Sequence, residues 1–142
     1  MRSDRYLADS NIVIYRVSDE ERLTREVKAI FDDTSNLIYV PSKCVEELIW
    51  LQQSGKIEVK LWKSAKDIIT YILESGLYYG IKCVDIGHLR QLAELPVVKD
   101  HKDPIDRIAI AQAIAEGIPI ISSDEQFPKY VRHGLELIFN KR

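Results

Sequence analysis

Four acidic residues lie in separate segments of the chain, at positions where carboxylates could meet: Asp9, Glu47, Asp106 and Asp124. Asp9 and Asp124 follow short apolar runs, whereas Glu47 and Asp106 lie near the starts of helical patterns. Two unit charges ~4 Å apart repel by about 4 kcal/mol at an effective dielectric near 20. No lysine or arginine is adjacent to Asp9 or Asp124 in sequence. If these side chains converge, some carboxyl pKa values must rise or the pocket must recruit cations.

Hard divalent cations with oxygen ligands, such as Mg²⁺ and Mn²⁺, suit a pocket of this kind. Such ions can activate water for in-line attack on a phosphodiester and stabilise the leaving oxygen. The four acids therefore predict metal-dependent hydrolysis of a phosphodiester, on the condition that the fold brings them to one pocket.

Each acid also has a structural interpretation, which the residues alone leave open. Asp9 could cap the helix that follows it, and Asp124 could cap the turn after it. Asp103 and Asp106 together look like a helix cap followed by an acid in the first turn, where the helix dipole favours negative charge. Glu47 has an acidic neighbour on its N-terminal side, and at most one of the two faces the core side.

The elements that must position these acids alternate between short apolar runs and longer helical patterns. Strands are predicted at residues 6–8, 37–40, 81–86, 118–121 and 135–139. Helices are predicted at 20–32 (capped by Ser18 or Asp19), 42–53 (capped by Ser42), 58–74, 89–95 and 104–116. This alternation favours an α/β fold with a mostly parallel sheet of about five strands, flanked by helices. In such sheets functional residues collect beyond the carboxyl ends of the strands.

Composition sets the remaining limits. The chain has 142 residues, with 46% hydrophobic and 30% charged, which predicts one globular domain over residues 1–142. No apolar run approaches the ~20 residues of a membrane span, so we expect a cytoplasmic protein that does not enter membranes. The two cysteines, Cys44 and Cys83, are far apart and lie in apolar contexts, which predicts two buried free thiols.

The net charge of −2 gives no support for a nucleic-acid partner. If metal ions neutralised four of the 22 acids, the remaining 18 would face 20 bases, and the balance would become +2. The whole-chain charge therefore does not exclude RNA. The three histidines are scattered, and a general-base role for His101 near Asp103 is disfavoured because a metal-bound hydroxide makes a separate base unnecessary.

Four sequence blocks resemble the PIN-domain family, and in particular its VapC-like toxin subgroup. Residues 7–11 (LADSN) look like the family's Asp-Thr-Asn opening, and residues 40–57 look like its second block. Residues 102–113 (KDPIDRIAIAQA) closely resemble the subgroup's Arg-Asp-Pro-Phe-Asp-Arg helix. Residues 117–124 resemble the Gly-strand-Thr-x-Asp block, with Ser122 where threonine is usual. The blocks stand in the family's order over nearly the whole chain.

The resemblance implies an endoribonuclease that uses Mg²⁺ or Mn²⁺, forms a homodimer and, among toxins, is inhibited by a small antitoxin protein. By motif position, Asp9, Glu47, Asp106 and Asp124 correspond to the family's catalytic, metal-binding acids. Accessory positions fall on Ser10, Asn11, Asp103, Arg107 and Ser122. The role of Asp103 stays open between helix cap and outer contact of the site, and Arg107 could bind a phosphate or pair with an acid.

The favoured hypothesis is therefore a metal-dependent endoribonuclease acting on RNA, the toxin of a type II toxin–antitoxin pair. The alternative is a non-catalytic PIN-fold module that binds RNA or protein, against which the four intact acids argue. A phosphatase or a response-regulator receiver fits less well, since Asp9 lacks a second aspartate two residues later. The sequence has no glycine-rich phosphate loop, which disfavours nucleotide-cofactor chemistry.

Overall fold

Five short strands form a single parallel sheet in the computed structural model, which describes residues 4–142. The strands are β1 (Arg5–Ala8), β2 (Leu37–Pro41), β3 (Gly80–Lys82), β4 (Ile120–Ser122) and β5 (Leu137–Phe139). Their order across the sheet is β3-β2-β1-β4-β5, and every neighbouring pair is parallel. The predicted α/β class with about five mostly parallel strands is confirmed.

Helices connect and flank these strands, as parallel pairing requires. They are α1 (Ser10–Ser18), α2 (Arg25–Asp32), α3 (Ser42–Gln53), α4 (Lys66–Glu74), α5 (Ile86–Glu94) and α6 (Pro104–Glu116). Two 3₁₀ helices lie at Glu20–Arg22 and Phe127–His133. Among residues 4–142, no helix is long and apolar enough to cross a membrane.

The central strand β1 determines where a site can form. Leu7 and Ala8 are fully buried, and the backbone of Asp9 donates a hydrogen bond to the carbonyl of Ile121 (3.0 Å). The chain winds from β1 towards β2 and β3 on one side, whereas β4 and β5 lie on the other side. The strand order therefore reverses between β1 and β4, and the carboxyl ends of strands at such a reversal border an open crevice.

The predicted helix over 58–74 is wrong in its first half, because α4 begins only at Lys66. The preceding segment is a turn in which Val59 and Trp62 are buried, and the Trp62 carbonyl accepts a hydrogen bond from Gln52 Nε2 (2.9 Å). The Asp67 carboxylate closes this turn by accepting from the backbone N–H groups at positions 63 and 64 (2.8 and 3.1 Å). Apolar residues at helical spacing can equally fill the core from an irregular segment.

The predicted helix over 20–32 is divided into a 3₁₀ turn and α2. Thr24, not Ser18 or Asp19, caps α2 by accepting from the backbone N–H of Val27 (3.3 Å). The cause is a long-range contact, since the Thr24 N–H binds Asn140 Oδ1 (2.7 Å) and thereby fixes the chain between the two helices.

Smaller boundary differences also come from capping. Ser42 is the first residue of α3 rather than its cap, which is at Pro41. Asp85 caps α5 at Ile86, so the predicted strand over 81–86 is shorter. The predicted burial of both cysteines is right for Cys44 and wrong for Cys83, which is exposed just after the edge strand β3.

Gly117 ends α6 in the left-handed region, with φ of 67°. We predict that Gly117→Ala lowers the free energy of unfolding by about 1–2 kcal/mol, because a side chain disfavours this conformation. Gly80→Ala is the matched control, since a Cβ at either position would meet no atom within 4 Å and Gly80 lacks the positive φ. Urea unfolding should show the control within about 0.5 kcal/mol of the wild type. Equal effects at both positions would contradict the backbone explanation.

Candidate active site

The Asp9 carboxylate lies directly beyond β1 and is only 2% exposed. Its Oδ1 atom accepts from the backbone N–H of Ser10 (2.9 Å) and from the thiol of Cys44 (3.5 Å). Its Oδ2 atom accepts from the hydroxyl of Ser122 (2.7 Å) and from Asn11 Nδ2 (3.2 Å). Asp9 therefore caps α1 and is also fixed by a residue from β4. A carboxylate has about four lone-pair directions, so its orientation is set by several donors at once.

Two serines connect Asp9 to Glu47 and Asp124. The Ser10 hydroxyl donates to Glu47 Oε1 (2.5 Å), which ties the start of α1 to α3. The Ser122 hydroxyl donates to Asp9 and accepts from the backbone N–H of Asp124 (3.0 Å). Serine can fill these positions because each bond needs only a hydroxyl, which can donate and accept at once.

Asp106 enters the same crevice from the first turn of α6. Asp103 caps this helix by accepting from the backbone N–H groups of Ile105 (2.9 Å) and Asp106 (3.3 Å). Burial raises the pKa of Asp106 to about 9, and the charges of Asp9, Asp103 and Asp124 add to this rise. A hydrogen bond with the Asp124 carboxylate also favours its protonated form. The Asp106 side chain is 10% exposed.

The other acids respond to the same crowding. Burial raises the pKa of Asp9, opposed by the hydrogen bonds from Ser122 and Ser10, and the charge of Asp124 raises it further. Burial is also the main reason that the pKa of Glu47 is raised, with added contributions from Asp9, Asp103 and Asp124. The structure thus brings the four predicted acids into one crevice, with exposed Asp103 near enough to influence them.

The salt bridges described for residues 4–142 leave the charge of this crevice without a lysine or arginine partner. None of the ion pairs found within residues 4–142 joins a lysine or arginine to Asp9, Glu47, Asp106 or Asp124. The Arg107 guanidinium turns away from the acids and donates to the carbonyls of Leu95 (3.1 Å) and Pro96 (2.8 Å). As positioned, Arg107 anchors the segment after α5 and does not pair with an acid.

A different group of side chains has the tightest spacing of potential metal ligands in the described part of the chain. One ligand atom each from Asp85, His88 and Glu116 lies within 4.8 Å of the others, whereas the predicted acids do not form such a group. His88 Nδ1 accepts from the Asp85 N–H (3.0 Å), so its Nε2–H donates to Glu116 Oε2 (2.7 Å). Lys82 Nζ lies 3.3 Å from Glu116 Oε1. Because these groups are hydrogen-bonded or ion-paired with one another, they connect β3, α5 and α6.

Comparison with protein-family models matches residues 6–132 to the PIN domain. The chain belongs to the PIN domain family. Among solved structures, this PIN domain is similar to a chain of DNA-bound VapBC from Salmonella typhimurium, with 13% identity, a TM-score of 0.67, and coverage of 96% of this chain and 98% of that one. No curated protein sequence gives a significant match.

Two further structures have the same fold. A chain of VapBC2 from Rickettsia felis, bound to a DNA fragment from its promoter, shares 15% identity at a TM-score of 0.63, with coverage of 95% of this chain and 98% of that one. A chain of FitAcB from Neisseria gonorrhoeae shares 16% identity at a TM-score of 0.61, with coverage of 95% and 97%. Each similarity extends over nearly the full length of both chains.

Three further residues border the PIN-domain crevice, Cys44, His101 and Tyr130. None was assigned to the site from the sequence, where His101 was weighed only as a disfavoured general base. Cys44 contacts Asp9, and its thiol pKa is well above the ordinary value because of burial and the charges of Asp9 and Glu47. His101 contacts Asp106 (3.0 Å) and Tyr130 (2.6 Å). The position of His101 five residues before Asp106 was the available signal, but without the fold it could not be distinguished from a loop histidine.

We predict that Asp106→Asn stabilises the metal-free PIN domain, and more so as the pH rises. The wild-type native state holds an extra proton on Asp106 between its ordinary pKa of 3.8 and its folded pKa of about 9. This extra proton stabilises the native state fully below pH 3.8, and the stabilisation is lost progressively as the pH rises to about 9. Asparagine does not ionise. The free energy of unfolding of Asp106→Asn should therefore exceed that of the wild type by about 1 kcal/mol or more at pH 8.

Urea unfolding in EDTA at pH 5 and pH 8 measures this effect. Glu136→Gln removes an exposed acid outside the crevice and serves as the control. A stability difference between Asp106→Asn and the wild type that does not change with pH would contradict the crowding of charge at Asp106.

Proposed function

We propose that this PIN domain is a Mg²⁺- or Mn²⁺-dependent endoribonuclease, the toxin of a type II toxin–antitoxin pair. The observation that carries the proposal is the convergence of Asp9, Glu47, Asp106 and Asp124 in the crevice at the strand reversal. Ser10 and Ser122 connect Asp9 to Glu47 and Asp124, and the charges of Asp9 and Asp124 help to raise the pKa of Asp106. Membership of the PIN domain family supports nuclease activity, and the family resemblance of these four positions supports their role.

The donor set fits a hard divalent cation. All four side chains offer carboxylate oxygens, and the ion pairs described in residues 4–142 give them no lysine or arginine partner. We propose that Asp9, Glu47, Asp106 and Asp124 hold the ion. When bound, it would supply an activated water and stabilise the leaving oxygen.

The residues around the ion would have different roles in binding and orienting it. Asp9 is held by donors on both oxygens, so its geometry is fixed before any ligand arrives. Asp106 must give up its proton for a cation to bind, because ligating carboxylates are ionised. Asp103, which caps α6, keeps the backbone of Asp106 in place. Ser10 and Ser122 orient neighbouring carboxylates by donating to them.

The toxin assignment rests on the solved complexes. VapBC, VapBC2 and FitAcB chains match this chain over 95% or more of its length. We propose an antitoxin protein partner on this basis. The proposal of a homodimer comes from the resemblance of the sequence blocks, and that of a cytoplasmic location from the sequence expectation. Exposed large apolar side chains, including Tyr79, Ile86 and Leu89, supply surface for protein contacts.

Two observations favour a second candidate, a PIN-fold module that binds RNA or protein without cutting it. The ligand atoms of the predicted acids do not form a group within 4.8 Å, and Asp106 holds a proton at neutral pH. A crevice neutralised in this way could persist without a cation. The two candidates differ in Mn²⁺ binding and in cleavage.

We expect Asp9→Asn and Asp106→Asn each to lower Mn²⁺-dependent RNA cleavage by more than about 100-fold, beyond the loss typical of residues that only support a ligand. Glu136→Gln should cut like the wild type. All proteins should be purified in the same way, so that a contaminating nuclease would act equally in every sample. Circular dichroism and thermal melting confirm the fold of each variant.

Calorimetric titration of Mn²⁺ into the wild type separates the candidates. Binding with cleavage supports the nuclease, and its loss in the Asp9 and Asp106 variants supports the assigned ligands. Full cleavage by both folded variants would refute the site. A wild type that neither binds Mn²⁺ nor cuts RNA would leave the binding module as the better description.

A further inference from the structure

A buried hydrogen-bond chain leads away from Asp106 to Arg107. His101 Nε2 lies 3.0 Å from Asp106 Oδ2, and His101 Nδ1 lies 2.6 Å from the Tyr130 hydroxyl. The Tyr130 oxygen in turn accepts from Arg107 Nη1 at 3.4 Å. His101 is 4% exposed and Tyr130 is fully buried. The chain therefore connects a proposed metal ligand to an arginine through two side chains that water barely reaches.

Arg107 sets the direction of this chain. A guanidinium has donors and no acceptor, so the Tyr130 oxygen must accept from Arg107 and its hydroxyl proton must point elsewhere. The nearby acceptor is His101 Nδ1, which must then carry no proton. In a neutral imidazole the proton lies on the other nitrogen, so His101 Nε2–H donates to Asp106 Oδ2. The reverse direction would leave the buried Tyr130 hydroxyl proton without a partner.

The position of Arg107 is itself fixed, so the direction does not depend on its long contact with Tyr130 alone. Its guanidinium donates to the Leu95 and Pro96 carbonyls at 3.1 and 2.8 Å. Burial lowers the pKa of His101, and the charges of Arg107 and Lys129 act in the same direction, against those of Asp124 and Asp103. The neutral ring is consistent with the donor–acceptor argument.

We propose that His101 is a positioning residue for Asp106: as the Nε2–H tautomer imposed by Tyr130 and Arg107, it holds Asp106 Oδ2 and orients the carboxylate for the divalent cation. This inference rests on the proposed function, since Asp106 must be a ligand for its orientation to matter. Outer partners that hydrogen-bond to metal ligands typically change metal affinity or activity by about 10–100-fold when removed. His101 acts here through Asp106 and needs no contact with RNA.

Three variants separate positioning from packing. His101→Gln keeps an N–H donor near the position of Nε2, whereas His101→Leu fills similar space without a donor. Tyr130→Phe removes the group that imposes the tautomer and keeps the ring. His133→Gln is the matched control, because the His133 ring packs edge-on against the same tyrosine (6.4 Å) and lies outside the chain from Arg107 to Asp106.

The first measurement is ¹⁵N NMR of the histidine side chains in metal-free wild type, with the His101 signal assigned by its loss in His101→Gln. We expect a neutral ring protonated at Nε2, and a mixture of tautomers in Tyr130→Phe. The second is Mn²⁺ affinity by calorimetry, together with RNA cleavage. His101→Leu should weaken Mn²⁺ binding about 10–100-fold, His101→Gln should restore most of it, and His133→Gln should match the wild type.

Several results would overturn the proposal. A wild-type His101 protonated at Nδ1 would show the opposite chain direction. Unchanged Mn²⁺ affinity in folded His101→Leu, or equal losses of affinity in His101→Leu and His101→Gln, would show that His101 only packs in the core. The nuclease assignment would then still stand. If His101→Leu does not fold, His101→Gln and Tyr130→Phe still decide the outcome. Absence of Mn²⁺ binding by the wild type would instead defeat the proposed function, and the positioning role with it.

Discussion

Burial of the Asp9 carboxylate at the carboxyl end of the central strand constrains everything around it. An ionised carboxylate removed from water is costly unless donors or cations compensate it. Here four donors from α1, α3 and β4 surround it, including the Ser122 hydroxyl at 2.7 Å. The parallel pairing of β1 with β4 brings Ser122 beside Asp9, so the sheet order itself supplies part of the compensation.

The crevice contains more negative charge than its own donors neutralise. Asp106 responds by retaining a proton, with a pKa of about 9, and it faces His101 on one side and Asp124 on another. Functional sites commonly keep such local conflicts, which the rest of the fold must tolerate. In this protein the surrounding core is apolar and well buried, with Ile110, Ile120 and Ile121 fully enclosed near the acids. The fold can therefore maintain a group of carboxylates that would separate in a less rigid frame.

Several acids combine a capping contact with a position in the proposed site. Asp9 caps α1, Asp103 caps α6, and Asp124 accepts from the backbone N–H of Gln126 (2.8 Å). The structural interpretation of these residues is correct, and it does not compete with a functional one. A cap fixes a carboxylate relative to a rigid helix, which is also what a preorganised site requires.

The sequence was most informative where local and tertiary preferences agree. The helix at Pro104–Glu116 was predicted to the residue, because Asp103, Pro104 and Gly117 all mark its ends locally. The segment over 58–65 was predicted as helix and is a turn, because the choice depends on Val59 and Trp62 entering a core that the sequence does not display. Thr24 became a cap through Asn140, which lies 116 residues away along the chain.

The site shows the same contrast between features that the local sequence specifies and features that depend on tertiary contacts. The residue types, their places after strands and at helix starts, and the family blocks were sufficient to name Asp9, Glu47, Asp106 and Asp124 from the sequence alone. Their metal-binding role stays a proposal. Only the tertiary structure decided that Arg107 donates to backbone carbonyls and that Cys44 and His101 contact the acids. It also placed a separate hydrogen-bonded group away from the four acids, formed by Asp85, His88 and Glu116. Backbone periodicity and capping are local properties, whereas the direction of a side chain and its partner depend on which distant segments pack together.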